Sequence, residues 1–196
     1  MKRVTNSNNV KEVSRVRSTK HKSSENFDWP KQMLKVPFGK EQIDVKKLDP
    51  HYVAGFIDGE GCFSVSVGKH KTLRRGLEIR PEFEIELRAD DQEILERICI
   101  TIGIGRIYDL SYERYGWYPH VKYKIGGRKD MVKYLFPFLD RYQLQAKKKF
   151  AYEIFKQIVL MMERKEHLTD VGYSKIVELR QKIQENGKKA KIHRNR

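Results

Sequence analysis

Val53-Ala54-Gly55-Phe56-Ile57-Asp58-Gly59-Glu60-Gly61 runs directly into Cys62-Phe63-Ser64-Val65-Ser66-Val67, and this stretch decides the fold. Asp49-Pro50 stands just ahead of it, an N-cap followed by proline at the first helical position, which predicts a helix running to Glu60. We expect the helix to end at Gly61, because glycine accepts the left-handed conformation that many helix ends adopt. The residues that follow alternate between apolar and polar, which is typical of a half-buried strand.

Two features of this predicted helix need an explanation. Gly55 and Gly59 lie four residues apart and, with Ala54, predict a small-residue face that a second backbone could approach closely. Packing of the same glycines against the protein's own sheet is the alternative. Glu60 lies at the carbonyl end of the helix, where the helix dipole disfavours an anion, so this carboxylate needs a nearby cation or a special purpose.

The remaining elements follow from periodicity. Alternation predicts strands, and apolar residues three and four apart predict helices. The strands are expected at 62–68, 77–88, near 105–112 and near 117–125. A second helix is expected to start at Asp90-Asp91, and further helices are expected to span about 129–136, 145–165 and 171–186. This order predicts an α+β fold, an αββαββα core with helices on one face of an antiparallel sheet and extra C-terminal helices.

The overall composition indicates which classes of binding partner to expect. The chain has 196 residues, a formal charge of +15 and 39% hydrophobic residues, which favours a folded protein with a polyanionic partner, nucleic acid above all. Solubility alone is the alternative explanation of the charge. Cys62 and Cys99 have no metal-binding spacing and indicate a reducing, intracellular compartment. No apolar run approaches the roughly 18 residues of a membrane span, so no membrane partner is expected.

Charge also divides the chain. Residues 1–47 hold 12 Lys and Arg against 5 Asp and Glu, which predicts a largely flexible basic N-terminal arm. Residues 48–187 form the predicted folded domain, and residues 188–196 a basic C-terminal tail that could touch phosphates.

The motif closely resembles that of the LAGLIDADG homing endonucleases, in a variant with Glu at the second acidic position. The similarity spans about residues 48–187 and includes these further blocks: Phe83–Leu87, Ile102–Ile107, Pro137–Leu139, Leu144–Phe150 and His167–Gly172. In this family one motif implies a homodimer and two imply a monomer. The chain carries one, so the resemblance implies a two-fold dimer in which the glycine-bearing helices pack together and bring two Glu60 side chains near the axis.

The resemblance also implies a set of catalytic residues. Glu60 matches the acid that binds Mg²⁺, with Mn²⁺ as a substitute and the Gly61 carbonyl as a further ligand. Asp58 matches the second acid, for which support of the helix end and metal binding are both open. Lys147 matches a lysine that orients water or stabilises negative charge, with Lys148 as its rival and a plain solvated helix start as the alternative.

One position departs from the family. Relatives often have a polar residue at the end of the second strand, and the matching position here is Leu87. Leucine cannot position water, so Arg88 is a candidate substitute.

The polar face of the sheet is expected to meet DNA. Four glutamates on this face suit base contacts, since carboxylates accept from the cytosine amino group, or they hold Arg80 and Arg88 in place; a plain solvated face is the alternative. The candidate groove residues are Ser64, Ser66, Glu78, Arg80, Glu82, Glu84, Glu86, Arg88, Arg106, Tyr108, His120, Lys122 and Lys124. The turn between the first two strands is predicted to contact the DNA phosphate backbone through Lys69, Lys71, Arg74 and Arg75.

The leading hypothesis is therefore an intron-encoded, Mg²⁺-dependent homodimeric endonuclease that cuts both strands of a near-palindromic DNA site. An RNA maturase that assists splicing of its host intron RNA is the first alternative. A non-catalytic DNA-binding regulator on the same fold is the second, which the presence of both acids disfavours.

Overall fold

The computed structural model describes residues 46–73, 75–110 and 118–192, with side chains as far as Gly187. Its main elements are α1 Pro50–Glu60, β1 Cys62–Lys69, β2 Leu77–Arg88, α2 Gln92–Ile102, β3 Arg106–Leu110, β4 His120–Ile125, α3 Arg128–Asp130, α4 Phe136–Arg141, α5 Lys148–Glu163 and α6 Asp170–Ile192. The predicted α+β class and element order are confirmed. The basic arm lies outside the described residues except for Lys46 and Lys47. Helix α6 continues to Ile192, into the segment predicted as a tail, whose last four residues also lie outside them.

Helix α1 begins as the sequence predicts and ends for a different reason. The Asp49 carboxylate accepts from the backbone N–H groups of His51, at 2.8 Å, and Tyr52, at 3.1 Å. At the other end Gly61 is extended, with φ −65° and ψ 145°, so the expectation of a left-handed glycine is wrong. A Cβ at Gly61 would lie 2.7 Å from the carbonyl oxygen of Ile57, so close approach of the backbone excludes every other residue.

The four strands form one antiparallel sheet in the order β1-β2-β4-β3. Strand β2 is central: Cys62 of β1 lies opposite Glu84, and Lys124 of β4 lies opposite the same residue from the other side. Because side chains alternate between faces, this register puts the polar residues of all four strands on one surface.

The core lies between the apolar face of this sheet and the helices. Phe63, Phe83 and Phe155 are buried, and the Phe63 ring lies 5.0 Å from that of Phe83 and 5.4 Å from that of Phe155. Each large apolar side chain buried in this way contributes about 1.5–3 kcal/mol to the free energy of unfolding. The packing holds α1 and α5 against the same sheet. It thereby also holds in place the C-terminal end of α1 and the N-terminal end of α5, both of which carry polar residues.

The helical segment after β4 is longer than predicted. The sequence places its end near residue 136, ahead of Pro137, yet helix continues to Arg141 through a wider π-helical turn at Met131–Leu135. The Phe136 N–H bonds to the carbonyl of Met131, five residues back, which adapts the helix to a proline that has no N–H to donate.

Helix α6 closes the edge of the sheet. The Arg180 Nε atom donates to the carbonyl of Val65, in edge strand β1, at 2.7 Å. None of the helices described, α6 included, combines the length and apolar character that crossing a membrane requires.

Candidate active site and nucleic-acid interface

One face of α1 is open to solvent. A Cβ built on Gly55 or Gly59 would meet no atom within 4 Å among the described residues, and the Tyr52 side chain on the same face is 51% exposed. The alternative in which these glycines pack against the protein's own sheet is therefore wrong. Ala54 was predicted to share their face, but it is only 4% exposed and lies on the buried side of the helix with Ile57.

The carboxyl end of α1 meets a lysine from α5. Glu60 is exposed, and the Lys148 Nζ atom donates to the carbonyl oxygen of Gly59 at 2.8 Å. Burial lowers the pKa of Lys148, while the negative charges of Glu60, Cys62 and Asp58 oppose that shift. Lys148 is thus a cation at the helix end, where a carboxylate alone would be unfavourable. Lys147, predicted ahead of Lys148, has an exposed side chain one position before the helix starts.

Asp58 links α1 to the turn before α5. Its Oδ2 atom accepts from the backbone N–H groups of Gln145, at 2.6 Å, and Ala146, at 3.1 Å. The Oδ1 atom is buried and has no hydrogen-bond partner among the described residues. This geometry favours the structural alternative for Asp58, because the carboxylate fixes the turn from which Lys148 extends.

A divalent metal at the end of α1 would find the exposed carboxylate of Glu60. The described residues contain no group of three or more His, Cys, Asp or Glu side chains that could hold a metal ion. Glu60 is exposed, whereas Gly61 is buried. A single carboxylate suits Mg²⁺, which keeps several waters and commonly binds one or two protein carboxylates together with substrate phosphate oxygens.

The polar face of the sheet brings most of the predicted groove residues together. Cross-strand partners on it include Ser64 with Glu82, Ser66 with Arg80, Glu86 with Lys122, Arg88 with His120, Arg106 with Lys124 and Tyr108 with Lys122. Ion pairs link the two central strands, with Lys124 Nζ lying 2.6 Å from Glu82 and Lys122 Nζ within 3.2 Å of two further glutamates. The Arg80 Nε atom donates to Glu78 at 2.7 Å.

The four residues predicted to contact the DNA phosphate backbone differ in their surroundings. Lys69 and Lys71 are exposed near the β1–β2 turn, and Arg74 lies outside the described residues. Arg75 is held by the protein itself: its Nη1 atom lies 2.6 Å from an Asp170 carboxylate oxygen, and its guanidinium lies over the Tyr173 ring. A phosphate contact by Arg75 would have to compete with these partners.

Comparison with known proteins bears on these arrangements. Residues 53–159, more than half of the chain, match the family model described as LAGLIDADG endonuclease. The chain belongs to the LAGLIDADG endonuclease family.

Among curated relatives, this LAGLIDADG chain is 35% identical over 124 residues to an uncharacterized 50.9 kDa protein in ND4 intron 1 of Podospora anserina, covering 62% of this chain and 26% of the relative. It spans between 24% and 28% of the length of three such relatives. Among solved structures it is similar to the homing endonuclease I-TnaI, with a TM-score of 0.64, 32% identity and coverage of 70% of this chain and 89% of that one. It is also similar to I-SmaMI bound to an uncleaved DNA target with calcium ions, with a TM-score of 0.66, 33% identity and coverage of 71% and 46%.

In this LAGLIDADG chain the structure shows the surroundings of Leu87, the position predicted to depart from the family pattern. Leu87 is partly buried against the core. Its proposed substitute, Arg88, is held by Asp90, with Nη2 at 2.7 Å from a carboxylate oxygen, and stacks on the Tyr118 ring. Arg88 is therefore engaged elsewhere.

Two residues near the site were not predicted as site residues. Tyr118 contacts Arg88 only because the strands fold together, and nothing in its local sequence marks it. Cys62 is an exposed residue, yet the partial burial of its thiol and the Glu84 charge raise the thiol pKa, and Lys148 and Lys122 oppose the shift. Its position directly after the motif could have drawn attention to it.

Proposed function

We propose that this chain is a site-specific DNA endonuclease, intron-encoded as its relatives' names suggest, that acts as a homodimer with Mg²⁺. The observation that carries the proposal is the hydrogen bond from Lys148 to the Gly59 carbonyl, next to the exposed Glu60, at the end of a helix whose glycine face is open. Family membership and the DNA-bound structures of similar proteins support it.

Hydrolysis of a phosphodiester requires that negative charge be neutralised around the scissile phosphate. Glu60, and less accessibly the Gly61 carbonyl, would hold Mg²⁺, which when bound would supply Lewis-acid charge at that phosphate. Lys148, fixed by the Gly59 carbonyl, would orient water or stabilise the developing charge. Asp58 would act as a positioning residue, because it holds the turn that leads into Lys148.

The open face of α1 supports the proposed dimer. Two copies of this helix can approach closely because neither glycine carries a Cβ, and a two-fold axis along that contact brings both Glu60 carboxylates near it. Two chains would then supply one Glu60 carboxylate each to the same region, where the described residues of one chain form no cluster of three or more metal-binding side chains. Like charges so placed favour a bound cation between or beside them.

The two other functions have weaker support. An RNA maturase and a non-catalytic regulator would both use the polar sheet face, but neither gives a role to an exposed carboxylate beside a partly buried lysine. No contact of the described residues specifically favours either.

A cleavage assay with a matched variant tests the proposal. The target is the duplex that the chain enriches from random DNA, or the joined exon sequence that flanks its reading frame. Glu60→Gln should bind this duplex as the parent does yet lose Mg²⁺-dependent cleavage, while Glu185→Gln on α6 should cut normally. Equal cleavage by Glu60→Gln and the parent would refute the site, and absence of specific binding by the parent would refute the function.

A further inference from the structure

The central strands of the sheet carry a lattice of paired charges, defined here as the glutamate–lysine lattice. Lys124 Nζ lies 2.6 Å from Glu82 Oε1, and Lys122 Nζ lies 3.2 Å from Glu84 Oε2 and 3.1 Å from Glu86 Oε2. The side chains of all five retain between 22% and 32% of their exposure. They therefore lie on the surface in a fixed arrangement with their polar atoms still accessible.

The lattice is unsuited to binding phosphates. On the polar face Arg80, Arg88, Arg106 and the two lattice lysines face four glutamates, so the face is nearly neutral while the whole chain carries +15. Burial acts to lower the pKa of Lys122, but its hydrogen bonds to Glu86 and Glu84 outweigh that effect and raise the pKa, which agrees with its short contacts to both glutamates. A surface whose charges cancel attracts the DNA phosphates only weakly. Its side chains are therefore better suited to contacts with bases.

The pairing leaves capacity for such contacts. A lysine ammonium has three donors, so Lys122 with two glutamate partners keeps one and Lys124 with one keeps two. A carboxylate has about four acceptor positions, and one bond to a lysine occupies one of them. Lys124 thus keeps two donors beside the Glu82 carboxylate, while Glu84 and Glu86 share the one donor that Lys122 keeps.

We propose, as a refinement that rests on the DNA endonuclease function, that the glutamate–lysine lattice determines specificity by selecting G·C base pairs in each half-site. The glutamates accept from the cytosine amino group and the lysines donate to the guanine O6 and N7 atoms. In the major groove these groups sit side by side on one base pair, which matches the donor and acceptor of one lattice pair. An A·T pair divides its two acceptors between adenine N7 and thymine O4, with the adenine amino donor between them, and it places the thymine methyl group against the charges.

Strand geometry predicts the spacing of the selected pairs. Successive residues on one face of a strand are about 6.8 Å apart, close to two steps of roughly 3.4 Å along the DNA strand. Glu82, Glu84 and Glu86 should therefore select three G·C pairs at about every second position, with cytosine on the strand nearer β2.

Selection from random duplex DNA by the full chain, followed by sequencing, tests this pattern. The parent should enrich a half-site with G·C pairs at three alternating positions. Glu84→Gln should change the preference at one of them from C to A, since Gln pairs with adenine, by roughly 10- to 100-fold. Glu178→Gln, the same change in an ion-paired glutamate on α6, should leave every position unchanged. Thermal unfolding of each variant verifies that it folds.

A charge swap gives a sharper test. Glu82→Lys combined with Lys124→Glu keeps both the ion pair and the net charge, so the fold should survive. The G·C pair that this lattice pair contacts should then reverse its orientation. An enriched site without the alternating G·C pairs, or one that neither Glu84→Gln nor the swap alters, would overturn the inference and leave the endonuclease function standing. Failure of the parent to enrich any sequence would overturn both.

Discussion

The Lys148 ammonium lies 2.8 Å from the carbonyl oxygen of Gly59, so the start of α5 meets the end of α1 at a single hydrogen bond. The contact satisfies a carbonyl that the helix end leaves without an intrahelical partner, and it brings a cation to the exposed Glu60. Asp58 holds the preceding turn through two backbone N–H groups. Helix geometry and site geometry therefore depend on the same few contacts.

Lys148 should set the alkaline limit of activity. Burial lowers its pKa from the ordinary value of 10.5, so the ammonium is lost at a lower pH than for an ordinary lysine. Single-turnover cleavage should accordingly fall on the alkaline side below pH 10.5. Lys148→Arg should move that limb upward, because a guanidinium stays protonated, whereas Lys147→Arg should leave it in place. A pH profile that is flat on the alkaline side would contradict this role of Lys148. A shift caused by Lys147→Arg alone would assign the role to Lys147.

Asp58 should matter for stability more than an exposed acid does. Asp58→Ala leaves the N–H groups of Gln145 and Ala146 without their acceptor, as loss of a helix N-cap does, and should lower the free energy of unfolding by about 1–2 kcal/mol. Asp58→Asn, which keeps an acceptor oxygen, should recover part of the loss. Urea unfolding measures both, with Asp90→Ala as the control. Because the Asp90–Arg88 pair is exposed, that control should cost less than about 1 kcal/mol. Equal losses for Asp58→Ala and Asp90→Ala would mean that the turn does not depend on Asp58.

The elements that local signals define could be predicted from the sequence. Asp49-Pro50 marks the start of α1, and twelve alternating residues define β2 with its observed bounds. Ala54 could also have been placed on the buried side, because it lies three residues before Ile57 on the helix. The continuation through Pro137 could not, since a π-helical turn leaves no clear mark in the sequence.

Tertiary contacts limited prediction of the site. Lys147 and Lys148 are adjacent in the sequence, and only the packing of α5 against α1 decides which of them meets the Gly59 carbonyl. The role of Gly61 depends on its distance from Ile57, which no pattern of residues gives. The ion pairs of the polar face depend in the same way on strand register.

Gly61 should tolerate no side chain. A Cβ there would lie 2.7 Å from the Ile57 carbonyl oxygen and 2.9 Å from the Ile57 Cγ2 atom, and both belong to a buried residue that cannot move aside. Gly61→Ala should therefore destabilise the fold by roughly 1–3 kcal/mol through overpacking. Gly59→Ala, in open space on the same helix, should be neutral or stabilising in a monomeric form. Thermal unfolding at low protein concentration compares the two, and equal stability of both variants would contradict the steric argument.

Lys69 and Lys71 should contribute affinity without specificity. If each contacts a DNA phosphate, its replacement by Gln should reduce the slope of log K against log salt by about 0.9. The base preferences of the enriched site should stay the same. Fluorescence anisotropy at several salt concentrations measures the slope, with Lys165→Gln, on the connection between α5 and α6, as the control. A change of preferred sequence without a change of slope would mean that these lysines contact bases.

The open face of α1 should control assembly. Gly55→Leu and Gly59→Leu put a large side chain where none of the described residues lies within 4 Å of the added Cβ, so the fold of one chain should survive while close approach of a second helix is blocked. Gly187→Leu on α6 changes an equally open glycine outside the proposed interface. Sedimentation velocity with target DNA should give two chains per duplex for the parent and for Gly187→Leu, and one for the α1 variants. Two bound chains for Gly59→Leu, with cleavage intact, would show that the dimer forms through another surface.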